Sequence, residues 1–133
     1  MRYLLDSDWI IDATVGIASA IQAIQQTRSE GIAVNTIALA EVYEGAFVLD
    51  NPASGIASFR RLLAGFAVLD VTEPIAERFA ELRSLLRWDG NLIPDMDLLI
   101  AATALERDLT LLTRNLRHFE RVPGLKLYRS RTN

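Results

Sequence analysis

The sequence predicts a single α/β domain, a three-layer α/β/α arrangement with helices on both faces of a mostly parallel sheet. Three observations carry that expectation. Short apolar runs of strand length alternate with longer segments whose apolar residues recur at helical spacing. The chain has 133 residues, enough for one domain with a sizeable core, and it reads as one unit over residues 1–133. Half of the residues are hydrophobic, and no Ser, Gly or Pro run marks a linker or an internal boundary.

Taken in order, RYLLD (Arg2 to Asp6) is a buried strand ending in an acid, and DSDWIIDATVG then turns into a helix with Asp6, Ser7 or Asp8 available as its cap. IASAIQAIQQTRSEG places Ile17, Ile21 and Ile24 at helical spacing and stops at Gly31. GIAVNT is the second strand. IALAEVYEGAFVLD follows as a helix capped by Asn35 or Thr36, and PASGIASFRRLLAG is another. FAVLDV is the third strand. Thr72-Glu73-Pro74 opens a long helix to about Trp88, with proline where the first turn tolerates it. A helix from Asp95 to about Arg107, the strand LTLLTR, a turn of helix in NLRHFE and a last strand LKLYR complete the chain.

Composition narrows the function classes. With no cysteine, disulfides, thiol catalysis and zinc–thiolate sites are excluded, and the single histidine, His118, argues against a histidine-based metal site or a Ser-His-Asp triad. No apolar run reaches bilayer length and the N-terminus lacks a signal-peptide pattern, so a cytoplasmic domain without a membrane partner is expected. A net charge of −3 gives no global attraction for a polyanion. The charge is unevenly spread, however. The segment from Arg114 onward carries Arg114, Arg117, Arg121, Lys126, Arg129 and Arg131 against Glu120, and reads either as a phosphate-binding flank or as a solvated surface.

The block IPDMDLLIAATAL sets Asp95 and Asp97 at the mouth of an apolar helix, where core packing has no use for them. In an open parallel sheet, ligands bind beyond the carboxyl ends of the strands. Asp6 and Thr36 close the first two strands, Glu41 lies about one turn into the following helix, and Thr113 and Asn115 close and follow a later strand. A helix returning between parallel strands brings its own N-terminus, with Asp95 and Asp97, to the same edge. Gathered carboxylates repel and resist desolvation, and a divalent cation relieves both costs. All-oxygen ligation suits Mg²⁺ or Mn²⁺, and such a cluster serves phosphoryl chemistry. Singly, each acid has a plainer use: Asp6, Asp8 or Asp95 can cap a helix, and Asp97 can sit in a first turn for the sake of the helix dipole.

Together the strand ending LLDSD, the helix IALAEVYEG, the block IPDMDLLIAATAL and the close LTLLTRNLRHF resemble the PIN domain (PilT N-terminus), and more narrowly the VapC toxins of bacterial toxin–antitoxin pairs. The resemblance spans nearly the whole chain. It implies an endoribonuclease in which Asp6, Glu41 and Asp97 bind Mg²⁺ or Mn²⁺ and activate water, with Asn115 as the fourth polar position. Ser7, Asp95 and Thr113 would support them, and the arginines from Arg114 and Arg117 onward, with Arg60 and Arg61, would grip RNA phosphates. The product ends would be a 5′-phosphate and a 3′-hydroxyl. It further implies a homodimer and a cognate VapB-type antitoxin whose C-terminal segment plugs the site. Trp9, Ile10, Ile11, Tyr43, Phe47 and Val48 would either receive that segment or fill the core. Three departures stand out: Asp8 where asparagine is common, the additional Asp95, and His118 where an acid is expected before the phenylalanine.

Other classes fit less well. LLDSD also suits haloacid-dehalogenase-like phosphatases, but those need a hydroxyl residue where Ile10 stands and a later lysine that Lys126 does not supply. Receiver domains want a comparable lysine. The remaining alternative is a catalytically weak or inactive PIN-like module that binds RNA or protein.

Overall fold

The computed structural model describes residues 1–129. Strand β1 (Tyr3–Leu5) leads into helix α1 (Ser7–Thr14), then α2 (Ala18–Thr27) and a short 3-10 turn (Arg28–Glu30). Strand β2 (Ile32–Asn35) is followed by α3 (Thr36–Phe47) and α4 (Pro52–Leu63), and β3 (Ala67–Leu69) by α5 (Glu73–Trp88) and α6 (Asp95–Glu106). Strand β4 (Thr110–Leu112) and the four-residue α7 (Leu116–Phe119) close the order. The sheet runs β3-β2-β1-β4 and every pairing is parallel. The fold is thus a three-layer α/β/α domain, as expected. No helix among the described residues is long and apolar enough to cross a membrane.

The central strands β1 and β2 are buried along their whole length and β4 over Leu111 and Leu112, as sheets covered on both faces require: Leu4, Leu5, Ala33, Val34, Leu111 and Leu112 have no solvent exposure. Helix α6 is buried almost all round, through Leu98, Ile100, Ala101, Ala102, Thr103 and Ala104, and packs on α5 and α3. Gly31 holds the turn into β2 at φ +91°, and a Cβ there would lie 2.9 Å from the Met1 Cα.

Two expectations change. The last strand, LKLYR, contributes a single parallel bridge, Leu111 to Leu127. Leu111 N–H donates to Lys126 O at 2.9 Å and Tyr128 N–H to Leu111 O at 2.8 Å, but the chain does not stay in register long enough to form a ladder. Asp95 does not cap α6 either. The cap position is Pro94, and Asp95 is the first helical residue, exposed and turned to Arg83 at 2.9 Å. With proline fixing the entry angle, Asp95 already lies inside the helix, so its carboxylate cannot reach the N–H groups that a cap would serve.

Because β2 and β4 flank β1 on opposite sides, the chain crossings diverge at the β1/β4 boundary, where an open α/β sheet leaves a crevice at its carboxyl edge. Asn35 holds α3 to this edge. Fully buried, it caps the helix by accepting from Ala38 N–H at 2.8 Å and donates through Nδ2 to Thr103 Oγ1 of α6 at 3.2 Å. Asn35→Ala should therefore lower unfolding stability by about 2 kcal/mol, since it removes the cap and leaves a buried N–H unpaired. Urea denaturation checks this, and an unchanged midpoint refutes it.

Candidate active site

Asp6 directly follows β1, and its side chain is buried at the β1/β4 crevice. Its Oδ1 accepts from Ser7 N–H at 2.8 Å, which makes it the cap of α1, and its Oδ2 accepts from the Thr113 hydroxyl at 2.7 Å, just past β4. Capping and site-building were alternatives for Asp6 in the sequence; one carboxylate does both. Ser7 Oγ donates to Glu41 Oε1 at 3.1 Å, so one residue ties the acid of β1 to the acid of α3. Asp97, in the first turn of α6, has a side chain only 15% exposed. Its Oδ2 lies 2.9 Å from His118 Nδ1 and 3.4 Å from Asn115 Nδ2.

Burial and mutual repulsion dominate the electrostatics. Asp6 is pushed up to about 7, chiefly by burial and then by the neighbouring Asp8; the hydrogen bonds from Thr113 and Ser7 oppose the rise, and Asp97 adds to it. Burial also raises Glu41, against the Ser7 hydrogen bond, with further repulsion from Asp97 and Asp8. The acids expected to converge thus feel one another's charge. Among the described residues, though, no three His, Cys, Asp or Glu side chains stand oriented to enclose a cation. Glu41 is turned to Ser7, and Asp97 to His118 and Asn115. The donor set nonetheless fits a hard divalent cation. It is all oxygen, and burial and mutual repulsion disfavour the charged forms of Asp6 and Glu41, a cost that a bound cation would relieve.

Two residues do more than the sequence disclosed. Asp8 accepts from Trp9 N–H at 2.7 Å and, across the fold, from Arg114 N–H at 2.9 Å, pinning the loop after β4 to α1. Its pKa is raised by burial, against those two backbone hydrogen bonds. His118 is the other, through its contact with Asp97. The signal for each was its departure from the family pattern. Asp95 points away to Arg83, whereas Ser7 and Thr113 stand against Glu41 and Asp6.

The basic flank is mostly committed. The Arg114 guanidinium pairs with Asp12, donates to Ser19 Oγ at 3.0 Å and lies 4.2 Å from the centre of the Trp9 ring. Arg121 donates to Leu92 O at 3.1 Å, Lys126 pairs with Asp108, and Arg129 with Glu120. Arg117 is exposed on α7 and makes none of these contacts among the described residues, and Arg131 lies outside them. Arg60 and Arg61 are exposed near the end of α4. Of the six apolar side chains named for an antitoxin segment, Trp9 and Ile10 are core, Ile11 and Tyr43 are half-buried, and Phe47 and Val48 are exposed.

A family model described as the PIN domain matches residues 3–125. The chain is 31% identical over 126 residues to Ribonuclease VapC2 of Haemophilus influenzae, covering 95% of this chain and 96% of that protein. It is 35% identical over 124 residues to Ribonuclease VapC10 of Mycobacterium tuberculosis, covering 92% and 90%. Its fold superposes on a chain of VapBC2 from Rickettsia felis, solved bound to a DNA fragment from the promoter, with TM-score 0.90, 27% identity and coverage of 96% and 98%.

The Asp6 environment has a consequence for stability. Between the ordinary carboxylate value of 3.8 and about 7, the folded chain holds a proton on Asp6 that the unfolded chain has released. The native state therefore binds more protons, and stability without metal falls as pH rises through that window. Asp6→Asn removes the penalty and keeps an acceptor for Ser7 N–H. Its metal-free Tm should exceed that of the parent at pH 8, by an amount equivalent to roughly 2 kcal/mol, and lose that advantage at pH 4. Thermal melts at the two pH values decide it; no gain at pH 8 counts against a strained Asp6.

Proposed function

The chain belongs to the PIN domain family, among the VapC ribonucleases, and from that premise we propose that it is the endoribonuclease toxin of a VapBC-type toxin–antitoxin pair, hydrolysing RNA phosphodiester bonds with Mg²⁺ or Mn²⁺. The observation that carries this reading is that Asp6 at the start of α1, Glu41 in the middle of α3 and Asp97 in the first turn of α6 come close enough at the β1/β4 crevice to feel one another's charge, within a chain matched to the family almost end to end.

Asp6, Glu41 and Asp97 would hold the cation. When bound, it supplies charge neutralisation at the scissile phosphate and lowers the pKa of a water nucleophile. The chain's own residues do the rest. The Thr113 hydroxyl and Ser7 N–H hold the Asp6 carboxylate with both oxygens engaged, so it cannot turn away from the crevice. Ser7 Oγ keeps Glu41 within reach of the same space. Asn115, expected to orient water or complete the metal shell, lies with its amide against Asp97 and His118, and so helps to hold Asp97. Arg117, exposed on the helix next to Asn115, is the flank residue disposed to meet a substrate phosphate.

The R. felis complex contains both toxin and antitoxin, and supports a VapB-type partner for this chain. Phe47 and Val48, exposed at and just past the end of α3, are the most open of the six apolar side chains, since Trp9 and Ile10 are committed to the core and Ile11 and Tyr43 are half-buried. We read the toxin as a cytoplasmic homodimer, in line with the family.

Purified protein freed of antitoxin should cleave RNA in Mg²⁺ or Mn²⁺, leaving 5′-phosphate ends. Asp97→Asn should lower the rate by at least about 100-fold, and EDTA should abolish cleavage. Equal rates for parent and variant would remove Asp97 from the site. A parent that binds RNA but cleaves it under no metal would instead make the chain a binding module.

A further inference from the structure

Resting on the ribonuclease reading, we propose that His118 is a positioning residue for Asp97, holding that carboxylate in the crevice by hydrogen bonding from Nδ1. Left alone, Asp97 would leave. It shares a partly buried edge with Asp6 and Glu41, and like charges in such a place push one another toward solvent. Asp97 stands in the first turn of α6, where the helix dipole favours an acid but no side chain of its own helix hydrogen-bonds the carboxylate; its preceding neighbours Asp95 and Met96 are exposed.

The opposing force comes from α7. His118 Nδ1 lies 2.9 Å from Asp97 Oδ2, and Asn115 lies 2.7 Å from the same ring nitrogen. The carboxylate contact fixes the tautomer: Asp97 Oδ2 can only accept, so Nδ1 carries its proton and donates to it. A bare Nδ1 would set a lone pair against a carboxylate oxygen. The ring's own position is fixed from beneath, because Phe119 is fully buried and Val122 nearly so, and both seat α7 against the core. His118 itself is about one-third exposed. The chain of cause runs from the buried Phe119, through a short helix, to an imidazole that restrains a repelled acid. A hydrogen-bonded partner that orients a ligating side chain commonly contributes 10- to 100-fold in metal affinity or activity. An acid at position 118 would add a fourth negative charge; a histidine adds a donor, which suits restraint.

The test compares the parent with His118→Ala and His118→Asn, the latter placing an amide N–H near the former Nδ1. Mn²⁺ affinity is measured by calorimetry without RNA, and kcat and KM for RNA cleavage are measured separately, with circular dichroism confirming the fold of each variant. His118→Ala should weaken Mn²⁺ binding about tenfold or more and lower kcat with little change in KM, and His118→Asn should recover most of both. A parent that binds Mn²⁺ and cleaves RNA, beside a His118→Ala variant equal to it, overturns the role of His118 and leaves the ribonuclease reading intact. Failure of His118→Asn to rescue overturns it too, because the Nδ1 donor would then not be what matters. A parent that neither binds Mn²⁺ nor cleaves RNA removes the ribonuclease reading, and this inference with it.

Discussion

Asp6 is a carboxylate placed where a carboxylate is unwelcome. It is buried at the ends of two adjacent parallel strands, beside Asp8 and within the field of Asp97, and its proton is held to about pH 7. Much of the surrounding architecture answers that one difficulty. Ser7 N–H and the Thr113 hydroxyl occupy its two oxygens, and Ser7 Oγ extends the network to Glu41. Asp8, the main source of repulsion, is itself stabilised by the backbone N–H groups of Trp9 and Arg114. These contacts hold the acids at one edge of the sheet, close enough to feel one another's charge, against their repulsion. That is the condition under which added positive charge has most to neutralise.

The fold was legible because its signal is local and periodic. Apolar strands of three or four residues, helix caps at Asn35 and Thr72, and proline in the first turn of α5 can each be read from a few neighbouring residues. That Asp6, Glu41 and Asp97 lie toward one edge was legible for a related reason: a parallel sheet sends its strand ends, and the N-terminal halves of the helices beside them, to one edge, so positions along the chain translate into positions in space. The family resemblance added the chemistry. The terminal strand failed for want of any such rule. LKLYR has the alternation of a strand, but only Leu127 bridges β4, and pairing length depends on a register that alternation does not encode.

Side-chain partners across long separations were not legible. Asp95 had the composition of a cap, and only the backbone at Pro94 shows that it starts one residue too late for that role. His118 could be noticed as an unexpected residue, yet its contact with Asp97 spans 21 positions and depends on how α7 is seated by Phe119. The basic flank misled in the same way. Six positive charges in sequence suggest a surface for phosphate, but composition does not say whether each charge already has a partner.

Arg114 shows what that difference means for recognition. Its guanidinium lies over Trp9, paired with Asp12 and donating to Ser19, while its N–H serves Asp8. Bringing it to an RNA phosphate would break a charge-assisted pair and uncover an indole whose N–H is already buried without a partner. It would also leave Asp12 facing the incoming polyanion. Arg114 is better understood as a clasp that fixes the loop carrying Thr113 and Asn115. Arg117, one turn further on, is exposed beside the same loop and makes none of these contacts among the described residues. With a net charge of −3 and most of the flank paired among the described residues, attraction for a polyanion rests on a few exposed cations and not on a broad positive surface.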